Sequence, residues 1–399
     1  MKQSHLAASY MKQFQCIGTA CEDTCCQGWS VDIDKKTFVK YKQLTDKTWK
    51  KKLTHHIRRN RYETTFTDYA TIRFNEHGFC PFLNTEKLCS IQLGLGERYL
   101  SRTCSLYPRQ HSRLYNTYEL FGSLSCPEVA RLALLNPDGI RLEPVDTVCE
   151  DDSSLDRLFD DERFSDCYYE IRSYIVELLQ NRSISLHSRM FRLGRFSWDL
   201  SQLMEEKRFI DILPILARYR ELPDDDENDV MNTLTSSEFH LQLLLYFVED
   251  YAENSGNNQR YKNYYQQFQQ GIDGSIERHQ RAYEVYFVPF LQEHGYVLEN
   301  YLVNYVYSRL FPLFGNRSVY DEYVVFLLHY VLIQLHLIGI AASQQGLSAE
   351  EAVSFIQTFS RMYEHDSSYF VKALDILNEK ELTGLDDLAQ LLNPALSLK

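Results

Sequence analysis

The chain has 399 residues, 44% hydrophobic and 24% charged, a composition typical of a globular protein large enough for two domains. Its formal net charge of −13 disfavours nucleic-acid binding, which needs a basic surface to neutralise phosphates. The first residues, MKQSHLAASYMKQFQC, contain no apolar run typical of a secretory signal. We therefore expect a cytoplasmic protein, in a compartment where stable disulfides are rare.

The first part of the chain, residues 1–145, combines short strand-like runs with turns. YETTF (62–66) and YATIRF (69–74) predict strands, and NEHGF (75–79) predicts a turn. Eight of the ten cysteines also lie between positions 16 and 126. These features predict a small cysteine-rich α+β domain over residues 1–145.

Residues 146–399 differ in their sequence pattern. After an acidic run at 150–163, hydrophobic residues recur at helical spacing over long segments. Ser348 and Glu351 form a capping box ahead of a helix. Further helices are predicted at 168–182, 186–207, 236–254, 275–293 and 298–311. The sequence thus predicts a mainly α protein, in which a larger all-helical domain at 146–399 follows the cysteine-rich one.

One apolar stretch, YVVFLLHYVLIQLHLIGIAA at 323–342, is long enough to cross a bilayer. It contains His329, Gln334 and His336, which are costly in lipid. We predict a buried core helix and no membrane span.

The cysteine spacing is the strongest chemical pattern in the sequence. Several thiolates held together repel one another unless a cation neutralises them, so a metal or an iron–sulfur cluster is favoured over disulfides. Zinc sites commonly use C-x2-C pairs, which are missing here, whereas iron–sulfur clusters accept more varied spacings. Cys25 and Cys26 are adjacent, and adjacent cysteines seldom bind one metal ion with both sulfurs, so one of the two is a candidate for a structural role. The candidate ligands are Cys16, Cys21, Cys25, Cys26, Cys80, Cys89, Cys104 and Cys126.

The residues around these cysteines suggest how the site is built. NTEK separates Cys80 from Cys89 and predicts a hairpin that brings the two together. Ser125 and Glu128 predict a capping box with Cys126 in the first turn of a helix, where a thiolate is stabilised. The alternative is that the cysteines are small buried hydrophobic residues, which is the interpretation favoured for Cys149 and Cys167.

Three motifs carry a family resemblance: TCCQGWSVDID, CPFLNTEKLCSIQLGLGERYLSRTCSLYPRQ and SLSCPEVAR. The chain resembles the flagellin lysine N-methyltransferase (FliB-type) family and, more distantly, cysteine-rich proteins that chelate zinc or iron. The resemblance implies methylation of flagellin lysines with S-adenosylmethionine and an iron–sulfur cluster, expected to be 4Fe–4S. It also implies that the cluster ligands come from the eight cysteines named above. A non-catalytic metal-chelating or cluster-carrying protein remains the alternative.

Two expected cofactor motifs are missing or weak. Gly94 and Gly96 are a poor match to a dinucleotide-type glycine loop, and the C-x3-C-x2-C spacing of radical enzymes is absent. The basic run at 47–61 is interpreted as a solvated helix face rather than a docking site. Arg109 could pair with a cluster sulfur, with the carboxylate of the methyl donor, or in a structural salt bridge. No residue is singled out as the general base.

Overall fold

The computed structural model describes residues 4–61, 65–114, 117–146, 162–224, 238–254, 258–272, 275–312, 317–363 and 368–392. Strand YETTF and the acidic run, together with Cys149, fall largely outside these ranges. The strand predicted from YATIRF is confirmed, at Ala70–Ile72.

A four-stranded sheet ties the two ends of the N-terminal part together. Its strands are β1 (Ser4–Ala8), β5 (Arg109–Leu114), β6 (Thr117–Gly122) and β7 (Leu142–Pro144), in the order β5-β6-β1-β7. β1 runs parallel to β6, with Ser4 opposite Thr117, and antiparallel to β7. The chain between β1 and β5 therefore leaves this sheet and returns to it.

That intervening chain forms a smaller unit around a three-stranded sheet. The strands are β2 (Asp32–Ile33), β3 (Ile57–Arg59) and β4 (Ala70–Ile72), in the order β2-β4-β3. The helices are α1 (Lys35–Gln43), α2 (Lys47–His56), α3 (Ser90–Leu95) and α4 (Arg102–Leu106).

Asp34 shows why these short helices hold their places. Its carboxylate accepts a hydrogen bond from the Thr37 amide at 2.8 Å, capping α1, and another from the Arg102 amide at 3.0 Å, which ties α4 to α1. Helices this short depend on such caps and on tertiary packing.

The remaining chain is helical. Its helices are α5 (Pro127–Leu134), α6 (Glu162–Leu179), α7 (Leu186–Glu205), α8 (Ile212–Arg220), α9 (Glu238–Asn254), α10 (Gln259–Ile272), α11 (Ile276–Ala282), α12 (Val288–His294), α13 (Tyr296–Ser308), α14 (Val319–Gln344), α15 (Ala349–Tyr363), α16 (Ser368–Glu379) and α17 (Leu385–Leu392). A π-helical turn, Tyr283–Phe287, joins α11 to α12. The mainly α fold with a small α+β part agrees with the sequence prediction.

α14 is the central helix of the protein. Within the described ranges it is the one helix long and apolar enough to cross a membrane, and its apolar window is entirely buried by other helices. The prediction of a buried core helix is confirmed. Its polar residues have partners inside the protein. His336 Nδ1 donates to the Leu332 carbonyl at 2.7 Å, and His336 Nε2 is hydrogen-bonded to Tyr261 Oη at 3.1 Å.

Two hydrophobic cores organise the molecule. The smaller contains residues from Val31 to Ile91, with several cysteines packed at its edge. The larger joins the helices to Ala8, Phe121 and Val129, and so includes parts of the first 145 residues. A buried ion pair between Arg172 on α6 and Glu119 on β6 reinforces this junction. The domain boundary at 145/146 stays a prediction.

Candidate metal centre and the adjoining cleft

Five of the eight candidate cysteines meet at one cavity of the smaller core. The cavity has a volume of about 80 Å³. We call it the thiol cavity, and its cysteines are Cys25, Cys26, Cys80, Cys89 and Cys104. They come from three separate stretches of sequence, which the β-sheet and short helices bring together.

Cys25 and Cys26 enter the cavity from a loop at residues 22–30, which we call the double-cysteine loop. The backbone of Cys26 accepts a hydrogen bond from the Cys80 amide at 2.8 Å, and the Gly28 amide donates to the Gly78 carbonyl at 3.0 Å. Gly28 has a φ of +79°, a conformation that favours glycine and lets the loop turn here.

Cys80 and Cys89 lie at the two ends of the NTEK turn. The Asn84 amide donates to the Leu88 carbonyl at 2.9 Å, and Leu83 pairs with Cys89 as an isolated bridge. The Asn84 side chain also accepts from the Leu88 amide at 2.8 Å. The hairpin predicted from the sequence therefore does bring both cysteines to one site.

The thiols interact with each other. A hydrogen bond with the Cys26 thiol raises the pKa of Cys25, and burial adds to the effect. The hydrogen bond with Cys25 lowers the pKa of Cys26, but a bond with Cys80 and burial outweigh it, so that pKa is raised as well. Burial raises the pKa of Cys104 to about 11. These groups are protonated at neutral pH, so binding a metal would require it to displace their protons.

The other three candidates do not line the thiol cavity. Cys16 and Cys21 both raise the pKa of Cys126, which marks them as its neighbours. Burial, and to a smaller extent Cys25, raises the pKa of Cys21, so this group adjoins the cavity. The Cys21 thiol donates to the Asp23 carbonyl at 3.3 Å. The structure thus divides the eight cysteines into five and three.

The capping box predicted at Ser125 and Glu128 is wrong. Helix α5 begins at Pro127, and Cys126 itself is the N-cap residue. Burial raises the pKa of the Cys126 thiol to about 11, although hydrogen bonds from the Val129 and Glu128 amides lower it. Proline at the first helical position explains the later start, because proline lacks the amide that a cap would otherwise satisfy.

The thiol cavity matches an iron–sulfur site in its chemistry. Its remaining walls are mainly apolar, including Ile33, Ile72 and Phe82, and clusters are held almost entirely by thiolates. Among the residues that the structure describes, however, no group of three or more His, Cys, Asp or Glu side chains is arranged to hold a metal ion. The nine described cysteines are all free thiols. The cysteine types and surroundings therefore fit a cluster, and the coordination geometry is not formed.

Helix α15 fastens the double-cysteine loop to the helical part. Arg361 Nη2 donates to the carbonyls of Thr24, at 2.9 Å, and of Gln27. Its Nη1 lies 2.5 Å from Asp23 Oδ1. One turn earlier, Gln357 Nε2 donates to Asp23 Oδ2 at 2.9 Å and to the Ser125 carbonyl at 2.8 Å. α15 therefore positions the backbone beside both groups of cysteines.

A much larger cleft lies next to the thiol cavity, with a volume of about 1030 Å³. Its walls are the double-cysteine loop, the turn at 75–78, the end of α9, the start of α10, and the facing ends of α15 and α16. Trp29 lines both the cleft and the thiol cavity. Its indole N–H donates to the Cys25 carbonyl at 2.7 Å. Its ring packs against the ring of Tyr107, with the two ring centres 5.4 Å apart. Trp29 is thus the wall between the two spaces.

Several other residues considered in the sequence have structural roles. Arg109 stacks on Phe14, with its guanidinium 5.2 Å from the ring centre. Gly94 packs against Trp49, because a β-carbon there would lie 2.3 Å from the indole. Cys167 is buried in the larger core, as predicted. The basic run forms the mostly exposed helix α2 and strand β3.

Sequence reasoning missed the residues that connect the two parts. Ser354, Gln357 and Arg361 recur at helical spacing on α15, opposite the apolar face through Phe355 and Phe359. Such a polar stripe on a helix that is otherwise buried indicates contact with a polar partner segment. That pattern could have identified Arg361 before the structure.

Comparisons with known proteins give consistent results. The model of the family described as FliB lysine N-methylase C-terminal domain matches residues 172–391. The chain is 36% identical over 138 residues to "Lysine-N-methylase" of Salmonella typhimurium, covering 34% of this chain and 33% of that protein. It is 35% identical over 138 residues to "Flagellar biosynthetic protein FliU" of Salmonella muenchen, covering 34% of this chain and 79% of that protein. The match thus spans about a third of the length of the Salmonella typhimurium relative. No solved structure matches the chain.

Proposed function

The chain belongs to the FliB lysine N-methylase family, and from this membership we propose that it methylates lysine side chains of flagellin. Two relatives support the proposal by their names, one a lysine-N-methylase and the other a flagellar biosynthetic protein. We propose S-adenosylmethionine as the methyl donor and the cytoplasm as the place of action.

The reaction makes modest chemical demands on the protein. A neutral lysine amine attacks the sulfonium-bound methyl group, the C–S bond breaks, and the thioether product leaves. The protein has to accept the proton of the lysine ammonium, align nitrogen, carbon and sulfur, and exclude water. A roomy cleft beside a rigid, packed unit suits those demands.

We further propose that the thiol cavity holds an iron–sulfur cluster with ligands drawn from its five cysteines. The observation that carries this proposal is the convergence of five thiols, from three stretches of chain, on one apolar cavity. When bound, such a cluster supplies redox-active iron and cross-links the segments that carry its ligands. Cys16, Cys21 and Cys126 do not line the cavity, and we propose that they are structural.

The alternative is a non-catalytic protein that chelates or carries a metal. It accounts for the thiol cavity but leaves the cleft of about 1030 Å³ without a role. A carrier also has no need of the helical part, which contributes half of the residues that line the cleft. The enzyme therefore explains more of the structure.

The activity is tested by mass spectrometry. Protein purified without oxygen is incubated with flagellin and S-adenosylmethionine, and lysine-containing peptides are examined for added methyl masses. Methylation of specific lysines supports the enzyme. No mass change from protein that retains its full iron content would contradict it.

The cluster is tested by iron and sulfide analysis combined with electron paramagnetic resonance, on serine variants of each cysteine. We expect ligand substitutions within the thiol cavity to reduce the iron content, and substitutions of Cys16, Cys21 and Cys126 to preserve it. Cys167→Ser is the control for removing a buried thiol elsewhere. Loss of iron in the second group instead of the first would refute the assignment.

A further inference from the structure

The cleft beside Trp29 carries a mixed set of charges. Its lining includes four carboxylates, Glu22, Asp23, Glu76 and Asp250, and three cations, Arg260, Arg361 and Lys372. The carboxylates would repel a polyanion such as a nucleoside triphosphate. An apolar ligand would remove water from all of these charged groups without replacing its hydrogen bonds, which costs free energy. A small zwitterion is the ligand class that such a lining suits.

Arg260 is the group in the wall best placed to bind a carboxylate. Its Nη2 donates to Ser354 Oγ at 3.0 Å. Its Nη1 lies 3.7 Å from Asp23 Oδ2, an ion-pair distance too long for a hydrogen bond, and has no hydrogen-bond partner among the described residues. Asp23 is held instead by Arg361 and Gln357. That Nη1 atom is buried, while the Arg260 side chain as a whole is 29% exposed and lines the cleft. A small shift of the guanidinium would therefore bring a donor without a partner to a ligand carboxylate.

Three aromatic residues line the same cleft, Trp29, Tyr251 and Tyr369. The two tyrosines are mostly buried and pack edge-to-face, with ring centres 4.6 Å apart, so the accessible aromatic face is that of Trp29. Tyr369 is held rigidly, because its hydroxyl donates to the Phe247 carbonyl at 2.5 Å. Flat aromatic faces are the usual platforms for a purine ring. The cleft thus offers an arginine for a carboxylate, carboxylates for an ammonium group, and the Trp29 ring, backed by buried tyrosines, for a base.

We infer that this cleft is the binding site of the methyl donor, with Arg260 holding its carboxylate and Trp29 stacking on its adenine. The inference rests on the proposed function for the identity of the ligand. A volume of about 1030 Å³ exceeds what the donor fills and leaves space for an incoming lysine side chain. Since Trp29 is shared, a donor in the cleft lies one aromatic ring away from the thiol cavity.

The test uses the stable product S-adenosylhomocysteine as a probe of binding, measured by calorimetry on the full chain. Arg260→Met removes the charge but keeps an unbranched stem, and we expect binding about 10- to 100-fold weaker. Ser30→Trp places a large ring in the cleft from an exposed position and should weaken binding similarly. Arg218→Met, a surface arginine paired with Asp199 at 2.8 Å, is the matched control and should bind as the unaltered protein does.

Fluorescence provides a second measurement, because the chain has three tryptophans. We expect the probe to change the emission of the unaltered protein and of Trp49→Phe, but not of Trp29→Phe. Thermal unfolding establishes that each variant is folded. Arg260→Met also removes the contacts of Arg260 with Ser354 and Asp23, and this loss can unfold the protein. In that case Ser30→Trp, which leaves those contacts in place, still tests the cleft.

The outcomes separate this inference from the proposed function. Absence of probe binding, or unchanged affinity in the folded cleft variants, overturns the cleft as donor site. If flagellin is methylated while those variants bind the probe normally, the activity stands and the site lies elsewhere. If the probe binds and the variants weaken it, but no lysine is methylated, the site stands and the proposed function fails.

Discussion

Replacing Arg361 with methionine should release the double-cysteine loop while leaving the helical part folded. The side chain is 11% exposed and holds the loop by hydrogen bonds to the Thr24 and Gln27 carbonyls and by its ion pair with Asp23. Breaking one partner of a buried pair typically costs about 3–5 kcal/mol. Gln357 still binds Asp23, so we take the lower end, about 3 kcal/mol.

Hydrogen exchange measures this effect where it occurs. A loss of about 3 kcal/mol in local opening energy corresponds to exchange about 100-fold faster. The reporter is the Gly28 amide, which is bonded to the Gly78 carbonyl. Peptides from α14 should keep their protection. Arg218→Met is again the control, because an exposed ion pair is worth only about 0–1 kcal/mol.

The reasoning would be refuted by unchanged exchange in the loop of Arg361→Met. It would also be refuted if loop and α14 lost protection equally, because Arg361 would then support the whole fold rather than the loop.

Three further predictions concern stability. Gly271→Ala should lower the free energy of unfolding, measured by chemical denaturation, by about 1–3 kcal/mol, because the new β-carbon would lie 1.9 Å from the Gly339 carbonyl oxygen. Gly346→Ala is the control: its β-carbon meets no atom within 4 Å, so the free energy of unfolding should hardly change. Arg172→Met should cost about 3–5 kcal/mol because it strands a buried carboxylate, and an unchanged urea midpoint would contradict this. Burial lowers the pKa of His336 to about 4, so the unfolded chain takes up its proton first as pH falls. Stability should therefore decline between about pH 6.5 and 4, by up to about 3 kcal/mol from this group, and His336→Phe should flatten that decline in urea titrations across this range.

Local patterns in the sequence predicted the features that depend on neighbours along the chain. The capping box at Ser348 and Glu351 is confirmed, with the Ser348 hydroxyl accepting from the Glu351 amide at 3.2 Å. The hairpin between Cys80 and Cys89 follows from Asn84, whose side chain closes the turn. Helix periodicity located some helices of the C-terminal part within a few residues, such as those predicted at 186–207 and 298–311, because a buried face repeats every three to four positions. It did not identify others, including Gln259–Ile272.

Features that depend on contacts between residues far apart in the chain could not be predicted from local sequence patterns. The division of the cysteines into five and three follows from how the β-sheet and short helices fold, and cysteine spacing carries no such information. Trp29 lines two cavities at once, and no local pattern in the sequence indicates that role. The start of α5 was misplaced because Ser125, which looked like a cap, instead bonds the hydroxyls of Ser123 and Tyr107.

The parallel pairing of β1 with β6 has a consequence for the order of assembly. Ser4 cannot meet Thr117 until everything between them has been looped out, and closing such a long loop costs entropy before any contact compensates it. The helices, by contrast, form largely from near neighbours. We therefore expect the full chain, when it refolds from denaturant, to form its helices first and to close the pairing of β1 with β6 late.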